Sequence, residues 1–132
     1  MKDFFAVFNS AMLISTPLLF AACGGLFTVL AGMLNIALEG MLLTGAFAAI
    51  AVVSITGNAA AGIAAAIIAS ASLALITAFS SIKFKSNVFI AGLAANLLAS
   101  GLTIVLSQRL FNTRGVVPLR DFQVIPFLRF RY

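Results

Sequence analysis

The stretch Ala31-Gly-Met-Leu-Asn-Ile-Ala-Leu-Glu-Gly-Met-Leu-Leu-Thr-Gly45 decides how the chain is read, because Glu39 is the only charge between Asp3 and Lys83. Charge-free runs extend from it over residues 4–38 and 40–82, and a third covers 86–108. A helix that spans a bilayer needs about 20 apolar residues, so all three runs can cross and the first two have length to spare. An ionised carboxylate among hydrocarbon is costly unless it is paired or wetted, which makes a solitary one a functional candidate.

Two readings of Glu39 stand side by side. Asn35 lies four residues earlier and on a continuous helix would share its face, while Gly32, Gly40 and Gly45 allow a helix break or a close approach of backbones. That combination suits a polar path through the membrane. The same residues also describe a helix start, with Asn35 as N-cap and Glu39 in the first turn at the positive end of the helix dipole. A reciprocal capping box needs the acid three residues after the cap, and here the spacing is four. The two readings are compatible.

The composition sets the class. With 63% hydrophobic and 8% charged residues in 132, and a mean hydropathy of +1.20, the chain lies outside the soluble range. The expected fold is all-α: a polytopic membrane helix bundle with about four transmembrane helices in one transmembrane region, 1–132. The helices are expected at about 4–31, 36–56, 59–82 and 88–107, followed by a polar tail, 108–132. Thr56-Gly57-Asn58 is a turn signal, and Lys83-Phe-Lys85 a short basic connection. The first and second helices can also be joined by a re-entrant break instead of a plain turn. Residues 59–82 are rich in Ala, Gly and Ser, which marks an interior helix. On the fourth helix Gly92, Asn96, Ser100 and Gly101 form a small and polar stripe that faces protein or water, with Asn96 as an interhelical hydrogen bond or a substrate contact.

Several functions are excluded. No Ser-His-Asp set, paired carboxylates or phosphate-cradling loop is present, so the chain is read as no enzyme, with no catalytic residues and no cofactor. No His and a single Cys leave a metal site almost without ligands and rule out an internal disulfide. The net charge of +5 sits mostly after residue 82, where a basic rim meets lipid phosphate of the bilayer, and no nucleic-acid partner is expected. Leu19-Phe-Ala-Ala-Cys23 roughly matches a lipoprotein signal, but Phe20, Asp3 and the apolar sequence after Cys23 oppose it, so Cys23 is read as a small packing residue. The charge rule for orientation is split between the Lys83–Lys85 loop and the arginine-rich tail, which must lie on opposite sides.

The stretches Thr16-Pro-Leu-Leu-Phe-Ala-Ala-Cys-Gly-Gly-Leu-Phe27, Ala31 to Phe47 and Phe89-Ile-Ala-Gly-Leu-Ala-Ala-Asn-Leu-Leu-Ala99 resemble permease subunits of ABC importers of the branched-chain amino acid and ribose class. They are most similar to the nucleoside or simple-sugar permeases, which carry a similar Asn-Ile-x-Leu-Glu-Gly-Met segment. The resemblance spans about residues 10–115 and implies a multi-pass protein of the bacterial cell membrane, truncated relative to a full permease. It implies Met1, Thr56–Asn58 and the tail outside, with the Gly32–Glu39 turn and Lys83–Lys85 inside. It implies as partners a second permease subunit, ATP-binding subunits that hydrolyse ATP, and an extracytoplasmic solute-binding lipoprotein. Asn35, Glu39 and Asn96 are then candidates for the solute pathway, and Gly32, Gly40, Gly45 and Gly92 for helix packing or breaks. Four helices with one membrane glutamate also fit a small proton-coupled multidrug exporter, although Glu39 begins a helix and the chain has no Trp. A structural subunit of a larger membrane complex is the third possibility.

Overall fold

The computed structural model describes residues 2–112, with side chains from Phe4 onward. It contains four helices, α1 (Lys2–Leu30), α2 (Leu38–Thr56), α3 (Ala59–Lys83) and α4 (Val88–Phe111), and no strand among the described residues. All four are long and apolar enough to cross a membrane.

The helix ends follow from local chemistry. α1 runs through Pro17 without a break, and the hydroxyls of Ser15 and Thr16 both donate to the Met12 carbonyl. It stops in a Schellman motif: Met33 N–H donates to Thr28 O and Gly32 N–H to Val29 O, with Gly32 at φ +81°, a conformation glycine adopts without strain. Gly57, at φ +66°, closes α2 by donating to Val53 O. Asn58 then caps α3, its side-chain oxygen accepting from Ala60 N–H at 2.9 Å, and Asn87 caps α4 in the same way through Phe89 N–H.

α2 begins at Leu38, later than the sequence pattern predicts. The side-chain oxygen of Asn35 accepts from Ala37 N–H at 3.0 Å, and this local turn competes with helix, so Ala37 becomes the N-cap in place of Asn35. α4 continues through Gln108 and Arg109 to Phe111, beyond the expected end at 107. The rest of the expected tail, 113–132, lies outside the described residues.

The bundle is organised by α2, which packs against both α3 and α4. α3 packs mainly on α2 and also touches α4. The buried cluster is Ala37, Leu73, Ala95 and Ala99, with Met41 packed against it. Among its described side chains α1 has no buried residue, and it meets α2 near its C-terminal end, where Gly25 abuts Leu38. Cys23 on α1 is free and exposed, so it is not the packed residue expected.

One dimension positions the site. α2 has 19 residues and the antiparallel α3 has 25, so α2 starts six residues short of the far end of α3, about 9 Å at 1.5 Å per residue. Consistently, the first turn of α2 meets Asn96, the ninth residue of α4, about 12 Å from that helix's start. The helix start, with Ala37 buried just before it, is thus set back into the bundle, while residues 31–34 of the connection stay exposed.

Candidate functional site

A recessed helix start leaves backbone N–H groups without intrahelical partners where water is scarce, and something else must satisfy them. Asn96 of α4 does. Its side-chain oxygen accepts from Gly40 N–H at 2.8 Å, and its amide nitrogen donates to Ile36 O at 3.0 Å. Gly40 is the third helical residue, the position whose N–H a normal N-cap side chain would take. The cap of α2 is therefore supplied from another helix, and both ends of the Asn96 amide are engaged by backbone.

The glycines make this approach possible. A Cβ on Gly40 would lie 2.8 Å from Asn96 Oδ1 and 3.1 Å from Ala99 Cβ, and one on Gly92 would lie 2.9 Å from Ile36 Cβ and 3.3 Å from Ala37 N. At Gly45 the obstacle would be Ser70 Oγ, which donates to Met41 O at 3.0 Å and ties α3 to α2. Gly40, Gly45 and Gly92 are all buried. The packing stripe of α4 comprises Gly92, Ala95, Ala99, Thr103 and Ser107. Of the predicted stripe, Gly92 belongs to it and Asn96 lies half-buried beside it, but Gly101 faces open space. The four-residue spacing of Ala95, Ala99, Thr103 and Ser107 carried that signal, but alanine is too common in apolar helices to stand out.

The recess opens into a cavity of about 250 Å³. Its polar lining is Thr28, Asn35, Thr77 and Ser81, and its apolar wall includes Met33, Met41 and Ala74. The hydroxyls already donate within their own helices, Thr28 to Gly25 O at 2.7 Å, Thr77 to Leu73 O at 3.0 Å and Ser81 to Thr77 O at 3.0 Å. Their oxygens remain as acceptors. Asn35 adds an amide nitrogen that makes a long donation, 3.8 Å, to the Met41 sulfur. The wall is mostly apolar, and these four side chains give it a small polar share. Thr28, Thr77 and Ser81 were not singled out in the sequence, since isolated hydroxyls in membrane helices usually bond their own backbone.

Glu39 lies elsewhere. It is exposed, outside the cavity lining, and has no hydrogen bond or ion pair among the described residues. The expected pairing of Asn35 and Glu39 on one helical face does not form, because Asn35 precedes the helix. Glu39 instead heads an exposed strip of α2 with Leu42, Leu43 and Ala46. Among the described residues no group of three or more His, Cys, Asp or Glu could hold a metal.

Residues 7–127 match the family described as the permease component of the branched-chain amino acid transport system. The chain belongs to this permease family. It is 39% identical over 95 residues to a protein of Haloferax volcanii provisionally named a glucose ABC transporter permease, covering 72% of this chain and 29% of the relative. It is 32% identical over 109 residues to the guanosine ABC transporter permease NupQ of Bacillus subtilis, covering 78% of this chain and 34% of that one. A nucleoside ABC transporter permease of Lactococcus lactis is 26% identical over 117 residues, covering 83% and 36%. The chain spans about a third of the length of these relatives. No solved structure matches it. As a multi-pass membrane permease of this family, the chain fits the importer resemblance, and the small proton-coupled exporter loses its footing.

Proposed function

We propose that the chain supplies four of the membrane helices of an ABC importer permease for nucleosides or simple sugars, in a bacterial cell membrane. Its partners in this reading are a second permease subunit, ATP-binding subunits and an extracytoplasmic solute-binding lipoprotein. The observation that carries the reading is the break at residues 31–37, which puts a set-back helix start beside a mostly apolar cavity that holds the polar side chains of Thr28, Asn35, Thr77 and Ser81. Irregular backbone at membrane depth is tolerated where it is buried in protein or lines a wet cavity, and pathways are built there. Glucose and nucleosides, the solutes for which the relatives are named, present hydroxyl donors to those four side chains.

In this reading Asn35 and Thr77 touch the solute, Asn96 holds the wall in place, and Glu39 faces the part of the transporter that lies beyond this chain. The test is uptake of labelled nucleoside and sugar by the complete transporter in vesicles with ATP. Loss of one hydrogen bond predicts that Asn35→Ala and Thr77→Val each lower uptake up to about tenfold with assembly intact. Glu39→Gln is expected to reduce uptake or assembly. Uptake at the unaltered rate in all three variants, at equal expression, would exclude the reading.

A further inference from the structure

The end of α3 carries a second concavity, separate from the break before α2. Leu75, Ile76, Phe79, Ile82 and Phe84 line an open apolar groove of about 750 Å³ with Lys83 at its rim. Phe79 and Phe84 meet edge to face at 5.8 Å, joining the helix to the loop that follows. That loop is tied at both ends. Phe84 N–H and the Ser86 hydroxyl both donate to Ser80 O, at 3.3 and 3.1 Å, and Asn87 caps α4. Lys83 is among the residues that line the groove, and Lys85 follows two residues later on the same tied connection.

Both lysines are exposed, and neither has an ion pair among the described residues. The sequence has no Asp or Glu between Glu39 and Asp121 to neutralise them. A lysine in the last turn of a helix is stabilised by the helix dipole, which accounts for Lys83. It accounts neither for Lys85, outside the helix, nor for the bulky apolar groove beside both. The contacts within this bundle show what a helix–helix interface looks like here: Gly40 against Ala99 and Gly45 against Ser70, small residues that bring backbones together. The groove has large aliphatic and aromatic side chains instead, suited to an acyl chain.

We propose that this groove binds an anionic phospholipid, with the phosphate between Lys83 and Lys85 and an acyl chain along Phe79 and Phe84. A basic side chain near an anionic membrane surface contributes enough for about a fivefold preference each. The test uses the full chain in mild detergent with equimolar phosphatidylglycerol and phosphatidylcholine of identical acyl chains, the retained lipid being counted by native mass spectrometry. Phosphatidylglycerol is expected in at least fivefold excess. Lys83→Gln with Lys85→Gln should bring the ratio close to one, the corresponding double Arg variant should keep it, and Phe79→Ala should lower retention of both lipids. Equal retention by the unaltered chain overturns the proposal without recourse to any variant. So does a preference that survives in the double Gln variant, or one that is absent when the chain is purified within its complete transporter, where a protein segment would then fill the groove.

Discussion

At the residue scale the structure turns on Asn96. A side chain that accepts from one backbone N–H in α2 and donates to one backbone C=O in the connection before it has roles that neither Asp nor Ala can fill together. Truncation strands Gly40 N–H and Ile36 C=O in an apolar setting, and each orphaned group costs about 1–3 kcal/mol. Asn96→Ala is therefore expected to lower the thermal stability of the purified chain in detergent by that order. Ser100→Ala is the natural comparison, because the Ser100 hydroxyl donates only to Leu97 O in its own helix, at 3.0 Å. It should be nearly neutral, and equal losses in the two variants would mean that Asn96 does not cap α2.

At the scale of elements the decisive contact is α2 against α4, and it depends on missing side chains. Gly92→Ala would press a methyl against Ile36 and the Ala37 backbone, so the connection or α4 must move, an overpacking cost of about 1–3 kcal/mol. Gly101 lies nine residues further along the same helix with nothing within 4 Å of a built Cβ, and Gly101→Ala should be neutral or slightly stabilising. Melting curves of the two variants separate a packing requirement from a general effect of glycine in α4. The sequence made these elements legible to different degrees. Charge-free runs and the Gly57-Asn58 turn announced four helices, and Gly32, Gly40, Gly45 and Gly92 stood out as places for a break or a close approach. The partner of Asn96 did not, because its bonds join residues 56 and 60 positions apart, and no local pattern encodes such a distance. The orientation of Glu39 was equally hidden. A helical-face argument holds only from the residue where the helix begins, and the Asn35 turn delays that start past Asn35 itself.

At the scale of the whole molecule, the helices alternate, so the 31–37 connection and the 84–87 loop share one end of the bundle while Gly57–Asn58 and Asn112 share the other. The two ends are not equivalent. At the first, α3 runs on to the loop before α4, but α2 starts about 9 Å short of the end of α3, beside the cavity. A membrane-impermeant maleimide can measure that difference. With Cys23 replaced by Ser, single cysteines at Lys85 and Asn58, both exposed, should react from opposite faces of the membrane. The family resemblance places Lys85 on the cytoplasmic side, so Lys85→Cys should label in inverted vesicles and Asn58→Cys in right-side-out ones. Met33, half-open to the surface and part of the cavity wall, then reports on the recess itself. Met33→Cys should label from the same face as Lys85→Cys but more slowly, since Met33 is only half-open and shares its cavity with Ser81 and Val88. Equal rates would put the 31–37 connection at the membrane surface and remove the embedded helix start on which a solute pathway depends.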